Sequence, residues 1–300
     1  WGYVDFFVYV GLDGFDYVDV HPGRGRVYLA HTANDALDII DIETDQYVES
    51  VSGLKGIAGA LVATDLDMVF TSNRGEDAVG IVSLAAEKPL QKIAVGTRPN
   101  GLAFDPERKL LLVGHGGDPA TVMLVDVVGG KVTSTITVPG RTRWTVFDPQ
   151  QKLFFVNIAA PAQIVAIDPG APDRVVRTYD VPAVGPHGLA LDPNTSSLLC
   201  ACDDKQLVRL NAKTGEVSAM LGLSGAPDVV FLNVARRHLY VASGDPGALD
   251  VVDVDAMKLV ETIRTEKDAN TLAFDATRNK IYAFLPQTHR AAVFVDGPRG

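Results

Sequence analysis

The stretch Asn100-Gly-Leu-Ala-Phe-Asp-Pro-Glu-Arg-Lys-Leu-Leu-Leu-Val-Gly-His115, continued by Thr121-Val-Met-Leu-Val-Asp126 and Lys131-Val-Thr-Ser-Thr-Ile-Thr-Val138, decides the fold. It contains four runs of β-forming residues, each bounded by Asp-Pro, Gly or Gly-Gly turn chemistry. The unit recurs along the chain. Asp126 has counterparts at Asp41, Ser83, Asp168, Asn211, Asp253 and Asp296, so the column from Asp41 onward advances in steps of 42, 43, 42, 43, 42 and 43. A second column, Pro22, Ala63, Pro106, Pro149, Pro193, Val234 and Ala276, advances in steps of 41, 43, 43, 44, 41 and 42. Two independent columns of seven members, with several short strands per period, predict an all-β, seven-bladed β-propeller with four-stranded antiparallel blades.

The repeat accounts for residues 1–300 as a single propeller domain, with blades starting near 14, 55, 98, 141, 185, 227 and 269. After Asp296 only Gly-Pro-Arg-Gly remains, so the seventh blade lacks an outer strand. A spare strand, Tyr3-Val-Asp-Phe-Phe-Val-Tyr-Val10, precedes the first blade. Residues 3–10 are therefore expected to complete blade 7 and remove its open edge.

Apolar residues make up 47% of the chain and the net charge is −10. This acidity disfavours a nucleic-acid partner, which usually meets a basic face. No apolar run of about 18 residues is present, so no transmembrane helix is expected. Cys200 and Cys202 lie two apart on one strand, with parallel side chains about 6–7 Å apart, and read as small core residues rather than a disulfide.

The ends of the second strands read Tyr28-Leu29-Ala30-His31, Val69-Phe70-Thr71-Ser72 and Tyr240-Val241-Ala242-Ser243. They resemble the Tyr-Val-Thr-Asn repeat of the YVTN-repeat (YncE-like) propellers. Val122 to Thr133 and Leu249 to Val260 resemble that family's companion pattern, an apolar strand closed by Asp, a turn and a Lys-Val strand. The resemblance spans all seven blades. It implies the propeller fold and, since such proteins are commonly exported, a periplasmic or extracellular location. The terminal Asn of the motif is replaced here, so no role for that position carries over.

The residue that opens each inner strand of a propeller stands at the mouth of the central channel. Counting six back from the proline column gives Asp16, Ile57, Asn100, Arg143, His187, Asp228 and Asn270. Six of these seven are polar although the strands behind them are apolar, and the fold gathers them into one ring, as a ligand site requires. Second-strand ends add His31, Ser72, His115, Ile158, Cys202, Ser243 and Leu285, and Trp144 beside Arg143 is expected to wall the site. Arg74, Glu76, Asp77, Asp118, Asp203 and Asp204 read as an outer rim.

In the catalytic reading His187 is the acid or base, because an imidazole titrates near neutrality. Arg143 clamps a carboxylate or oxyanion, and Asp16 or Asp228 orients the imidazole. Asn100, Asn270, His31, His115 and Trp144 complete the ligand-binding set. The plainer reading is that polar entrance residues partner exposed backbone groups, with Arg143 ion-paired to Asp16 or Asp228. His21, His238 and His289 read as structural.

Asp16, Asn100, Asp228 and Asn270 are oxygen donors suited to a divalent cation such as Ca²⁺ or Mg²⁺, and are similar at fold level to the acid-and-amide set of metal-dependent sugar-lactonase propellers. Arg143 in the same ring opposes a cation. His31, His115 and His187 are the candidates for zinc or copper. The sequence lacks the Gly-x-Ser-x-Gly, His-Glu-x-x-His, Walker and dinucleotide fingerprints. Three functions stay open. The first is a small-molecule hydrolase or lyase acting on a lactone or carboxylate-bearing substrate. The second is a non-catalytic propeller of the cell envelope binding a small ligand or a protein partner. The third is a carrier of a metal or redox cofactor.

Overall fold

The computed structural model describes residues 2–7 and 14–297, the first of these segments by its backbone only. Seven four-stranded antiparallel sheets are arranged as the blades of a propeller. Their inner strands are Phe15–His21, Ile57–Ala63, Pro99–Asp105, Thr142–Asp148, Pro186–Asp192, Ala226–Asn233 and Leu272–Asp275. Six blades run outward in chain order. In the seventh, Gly2–Phe7 pairs antiparallel with Arg290–Val295, with Phe6 opposite Ala291, and forms the outermost strand. The expected closure by the N-terminal strand is thus present. The strand begins one residue earlier than expected, and residues 8–10 lie outside the described residues.

The two sequence columns have a physical cause. Asp41, Ser83, Asp126, Asp168, Asn211 and Asp253 each accept a backbone N–H from two or three residues ahead through a side-chain oxygen. These Asx- and Ser-type turns lead each third strand into its fourth. Asp296, whose blade takes its fourth strand from Gly2–Phe7, instead accepts hydrogen bonds from Tyr240 (2.6 Å) and His238 (2.7 Å) of the preceding blade. The acidic residue just before the proline column does similar work. Asp105 accepts from Glu107 and Arg108, and Asp148 from Gln150 and Gln151.

Seven apolar clusters form the core, one between each pair of successive blades. Phe154, Val156 and Ile158 meet Leu112, Val122 and Leu124 between blades 3 and 4. Tyr282, Phe284 and Val293 meet Val18, Leu29 and Ile40 between blades 7 and 1. Middle strands such as Leu153–Ile158 are buried along their whole length because both faces meet a neighbouring blade. Each fully buried Leu or Phe contributes about 1.5–3 kcal/mol, so these interfaces hold the ring.

The expected register holds in six blades and slips by one in blade 2. Ala63 lies opposite Met68 and so corresponds to His21 and Asp105, not to Pro22 and Pro106. Thr64 is the member of the second column, Ala58 rather than Ile57 stands at the mouth, and the second strand ends at Asn73 rather than Ser72. The paired steps of 41 and 43 in that column are therefore 42 and 42. No helix among the described residues is long and apolar enough to cross a membrane.

Candidate functional site

Six of the seven inner strands carry a register shift within their first residues, between Phe15 and Val18, Ile57 and Gly59, Pro99 and Leu102, Thr142 and Thr145, Pro186 and Gly188, and Pro227 and Val230. Such bulges re-aim side chains, and here they fall on the ring positions. Neighbouring entrances also approach closely. A side chain on Gly188 would meet the Asp228 carbonyl at 2.6 Å, and one on Gly101 the Arg143 carbonyl at 2.3 Å. Glycine at these two sites lets successive inner strands converge, which brings His187 to Asp228 and Asn100 towards blade 4.

His187 stands at the centre of the better-connected half of the mouth. Its Nδ1 lies 2.7 Å from Asp203 Oδ1 and its Nε2 3.1 Å from Asp228 Oδ1. Arg143 Nη1 lies 2.9 Å from the same Nε2, and Arg143 Nη2 lies 3.7 Å from Asp203 Oδ2. Asp228 Oδ2 accepts from Asn270 Nδ2 at 2.9 Å. Buried Asn157 donates to the carbonyls of His187 (2.9 Å) and Gly188 (3.1 Å), fixing the bulge. Thr142 Oγ1 donates to the His115 carbonyl at 2.9 Å and anchors the strand that carries Arg143.

Burial opposes charge on His187, but hydrogen bonds to Asp203 and Asp228 outweigh it and raise its pKa to about 9. At neutral pH the ring is an imidazolium donating to both carboxylates, so it is an acid rather than a base. Neutral His187 would instead accept from Arg143 at Nε2, and these two arrangements exclude one another. Arg143 Nε is buried without a hydrogen-bond partner.

The other half of the mouth holds Asp16, Asn100 and Arg74. Arg74 Nη1 lies 3.0 Å from Asp16 Oδ2, and Arg74 Nη2 donates to Asn100 Oδ1. Asp16 is partly open to channel water yet ringed by protein. Burial, with a contribution from Asp228, overrides the attraction of Arg74 and raises its pKa to about 7. Arg141 also stands at this entrance. Its charge is disfavoured chiefly by Arg143, then by burial, Arg74 and Arg98. Three guanidinium groups, those of Arg143, Arg74 and Arg98, are therefore near enough to Arg141 to repel it at one side of an acidic protein.

The structure thus brings Asp16, Asn100, Arg143, His187, Asp228 and Asn270 together at one mouth. Arg143, however, faces His187 and Asp203, and the ion pair of Asp16 is with Arg74. Trp144 lies just inside, with its ring centroid 4.2 Å from Tyr17 and 6.3 Å from Phe231, both edge-to-face.

His31 and His115 do not reach the mouth as expected. His31 is fully buried, 2.7 Å from Asp38 and against the Phe15 ring at 4.7 Å. His115 is 1% exposed and neither ring nitrogen has a hydrogen-bond partner. Burial depresses its pKa to about 4 despite the nearby Thr121 backbone, which falls outside hydrogen-bond geometry. Both side chains point into the blades, where the second strands are sealed. Sequence reading missed Arg74 and Asp203 as site residues by leaving them on the rim. The signal was positional, since each is the residue directly after a second strand.

The ring does not fit a divalent cation. Asn100 accepts from Arg74, Asp16 is paired with Arg74, and both oxygens of Asp228 face donors on His187 and Asn270. A cation would have to displace the Arg74 guanidinium from Asp16 and Asn100, and the His187 imidazolium and the Asn270 amide from Asp228. Among the described residues no three His, Cys, Asp or Glu side chains converge as metal ligands, so His31, His115 and His187 do not form one site either.

No family model matches the chain, and no curated protein matches it. Among solved structures, it is similar to a chain of hydrazine synthase from Kuenenia stuttgartiensis, with a TM-score of 0.86 and 14% identity over 97% of both chains. At that identity the likeness is one of fold.

Proposed function

We propose that the channel mouth recognises a small carboxylate-bearing molecule, and that the protein is a hydrolase or lyase acting on such a ligand or on its lactone. The observation that carries this reading is the gathering of Arg143, Arg141, Arg74 and Arg98 about one entrance, with the Arg143 Nε lacking a partner. A carboxylate entering there relieves repulsion between guanidinium groups and takes the fork geometry that arginine offers. His187 is the general acid: Nδ1 is fixed by Asp203, and Nε2–H, now directed at Asp228, is the proton available to a carbonyl or leaving oxygen. Asp16, with a pKa of about 7, is the group suited to accept a proton. Both groups are raised, His187 far enough to hold its proton at neutral pH and Asp16 far enough to exchange one there, which is what a donor and an acceptor working at neutral pH require.

A second reading is a binding propeller of the YVTN-repeat kind in the cell envelope. It is favoured by the extent to which the mouth side chains already pair with one another, which suits ligand capture without chemistry. One experiment addresses both. Calorimetry against a panel of small mono- and dicarboxylates should find a ligand whose affinity drops at least tenfold in Arg143→Ala, and the same panel with its lactones should be screened for turnover that His187→Gln abolishes. Binding without turnover selects the second reading; neither binding nor turnover across the panel removes both.

A further inference from the structure

Beyond the aromatic cluster of Tyr17, Trp144 and Phe231, the central channel widens into a cavity of about 580 Å³ that opens at the face opposite the mouth, near Thr64, Asp65, Pro106 and Pro149. This volume lies in the range that holds small ligands. Its walls come mainly from the inner strands of blades 1 to 4 and are apolar, with Leu102, Phe104, Val146 and Phe147 among them. No basic side chain lines it, and the titratable groups facing it are Tyr17 at the aromatic end, Asp65 at the rim and Asp19 within.

Asp19 breaks a pattern. The residues on its rung of the other six inner strands are Leu61, Ala103, Val146, Ala190, Phe231 and Ala273, all apolar. Asp19 Oδ1 accepts from the Val20 N–H and Oδ2 from the Val62 N–H, both at 2.8 Å, so the carboxylate is held rigidly and still has lone pairs to offer. Only burial and these two backbone donors act on it. Burial dominates and raises its pKa to about 6. A carboxylate placed in apolar walls without a countercharge is costly unless something supplies the charge.

We propose that this cavity is a second ligand site, distinct from the mouth, which takes a small ammonium compound with an apolar or aromatic body. Asp19 is the counterion, the rim carboxylate of Asp65 attracts the cation, and the ring faces of Trp144 and Phe231 receive the body of the ligand. The bland role for Asp19 is to latch blade 1 to blade 2 through the Val62 N–H, and the test separates the two. Phenethylammonium is the probe, followed by calorimetry and by the fluorescence of Trp144.

The expected result is saturable binding at pH 7.5, at least tenfold weaker for 2-phenylethanol, which has the same body without the charge. In the unmodified protein the affinity should fall about tenfold per pH unit below pH 6, as Asp19 takes up its proton. Asp19→Asn, which retains an acceptor for Val62, should lose at least tenfold in affinity and the pH dependence together, with its melting temperature recorded alongside. No binding of phenethylammonium at millimolar concentration would overturn the proposal, as would binding that ignores both pH and the missing charge. The pH series on the unmodified protein decides the matter if Asp19→Asn fails to fold.

Discussion

Replacing Asp203 by Asn should move the titration of His187 by a measurable amount. The imidazole is 14% exposed and is gripped by Asp203 at 2.7 Å and Asp228 at 3.1 Å. A rise from 6.5 to about 9 corresponds to about 3 kcal/mol favouring the charged ring, achieved against burial and the repulsion of Arg143. Asp203 is 41% exposed, so water screens its share, and its loss as a charge should lower the His187 pKa by about one unit. Asp228→Asn should act in the same direction.

Because the folded pKa lies above the unfolded one, this charge stabilises the fold fully below pH 6.5. The stabilisation is lost as the pH rises through 9. Asp16 acts in a lower window. Its raised pKa removes stability as the pH climbs from 3.8 to about 7. Proton–nitrogen correlation spectra of the imidazole rings give the pKa directly, and chemical denaturation at pH 7 and pH 9.5 gives the linked stability. If His187 titrates at or below 6.5 in the unmodified protein, the ring is neutral and accepts from Arg143. The assignment of His187 as a proton donor then fails.

Removing the first seven residues should expose the edge of Arg290–Val295 and cost several kcal/mol or cause aggregation, and an unchanged melting temperature would contradict the closure. Asp126→Ala should cost about 1–2 kcal/mol in a denaturant titration by freeing the Val128 and Gly129 N–H groups, with no effect on ligand binding at the mouth. Asp296→Ala should cost more, about 2–3 kcal/mol, because it leaves the buried Tyr240 hydroxyl without its acceptor and loosens blade 6 from blade 7. Arg74→Ala should destabilise the protein through Asp16 and Asn100, whereas Arg143→Ala should leave the Asp16 pair intact, and thermal melts of the two variants compare them.

Residues that recur once per blade were legible in the sequence because folding demands them at fixed places. Asp126 and its counterparts were visible as a column since all but Asp296 cap the same turn, and the column located every third strand. Blade 2 slips because its turn uses Thr64 where four other blades have proline, so nothing in the sequence marks Thr64 over Ala63. The site was legible only as far as it followed the same periodicity. Asp16, Arg143, His187 and Asp228 share one rung and were found by counting. Arg74 and Asp203 come from connections, where a long or a well-placed side chain crosses to another strand, and no count of rungs reports how far a side chain reaches. His31 was misplaced for the converse reason. Its position in the repeat suggests the mouth, but Asp38, interrupting the apolar strand Ala36–Asp41, marks a buried partner that holds it inside the blade. In a repeat protein the shared column therefore encodes architecture, and a charged residue that breaks its column needs a separate cause. Arg143 answers to this test through His187 and Asp203, and Asp38 through His31. Asp19 meets no opposite charge among the described residues, which makes it the exception whose cause the ammonium titration would reveal.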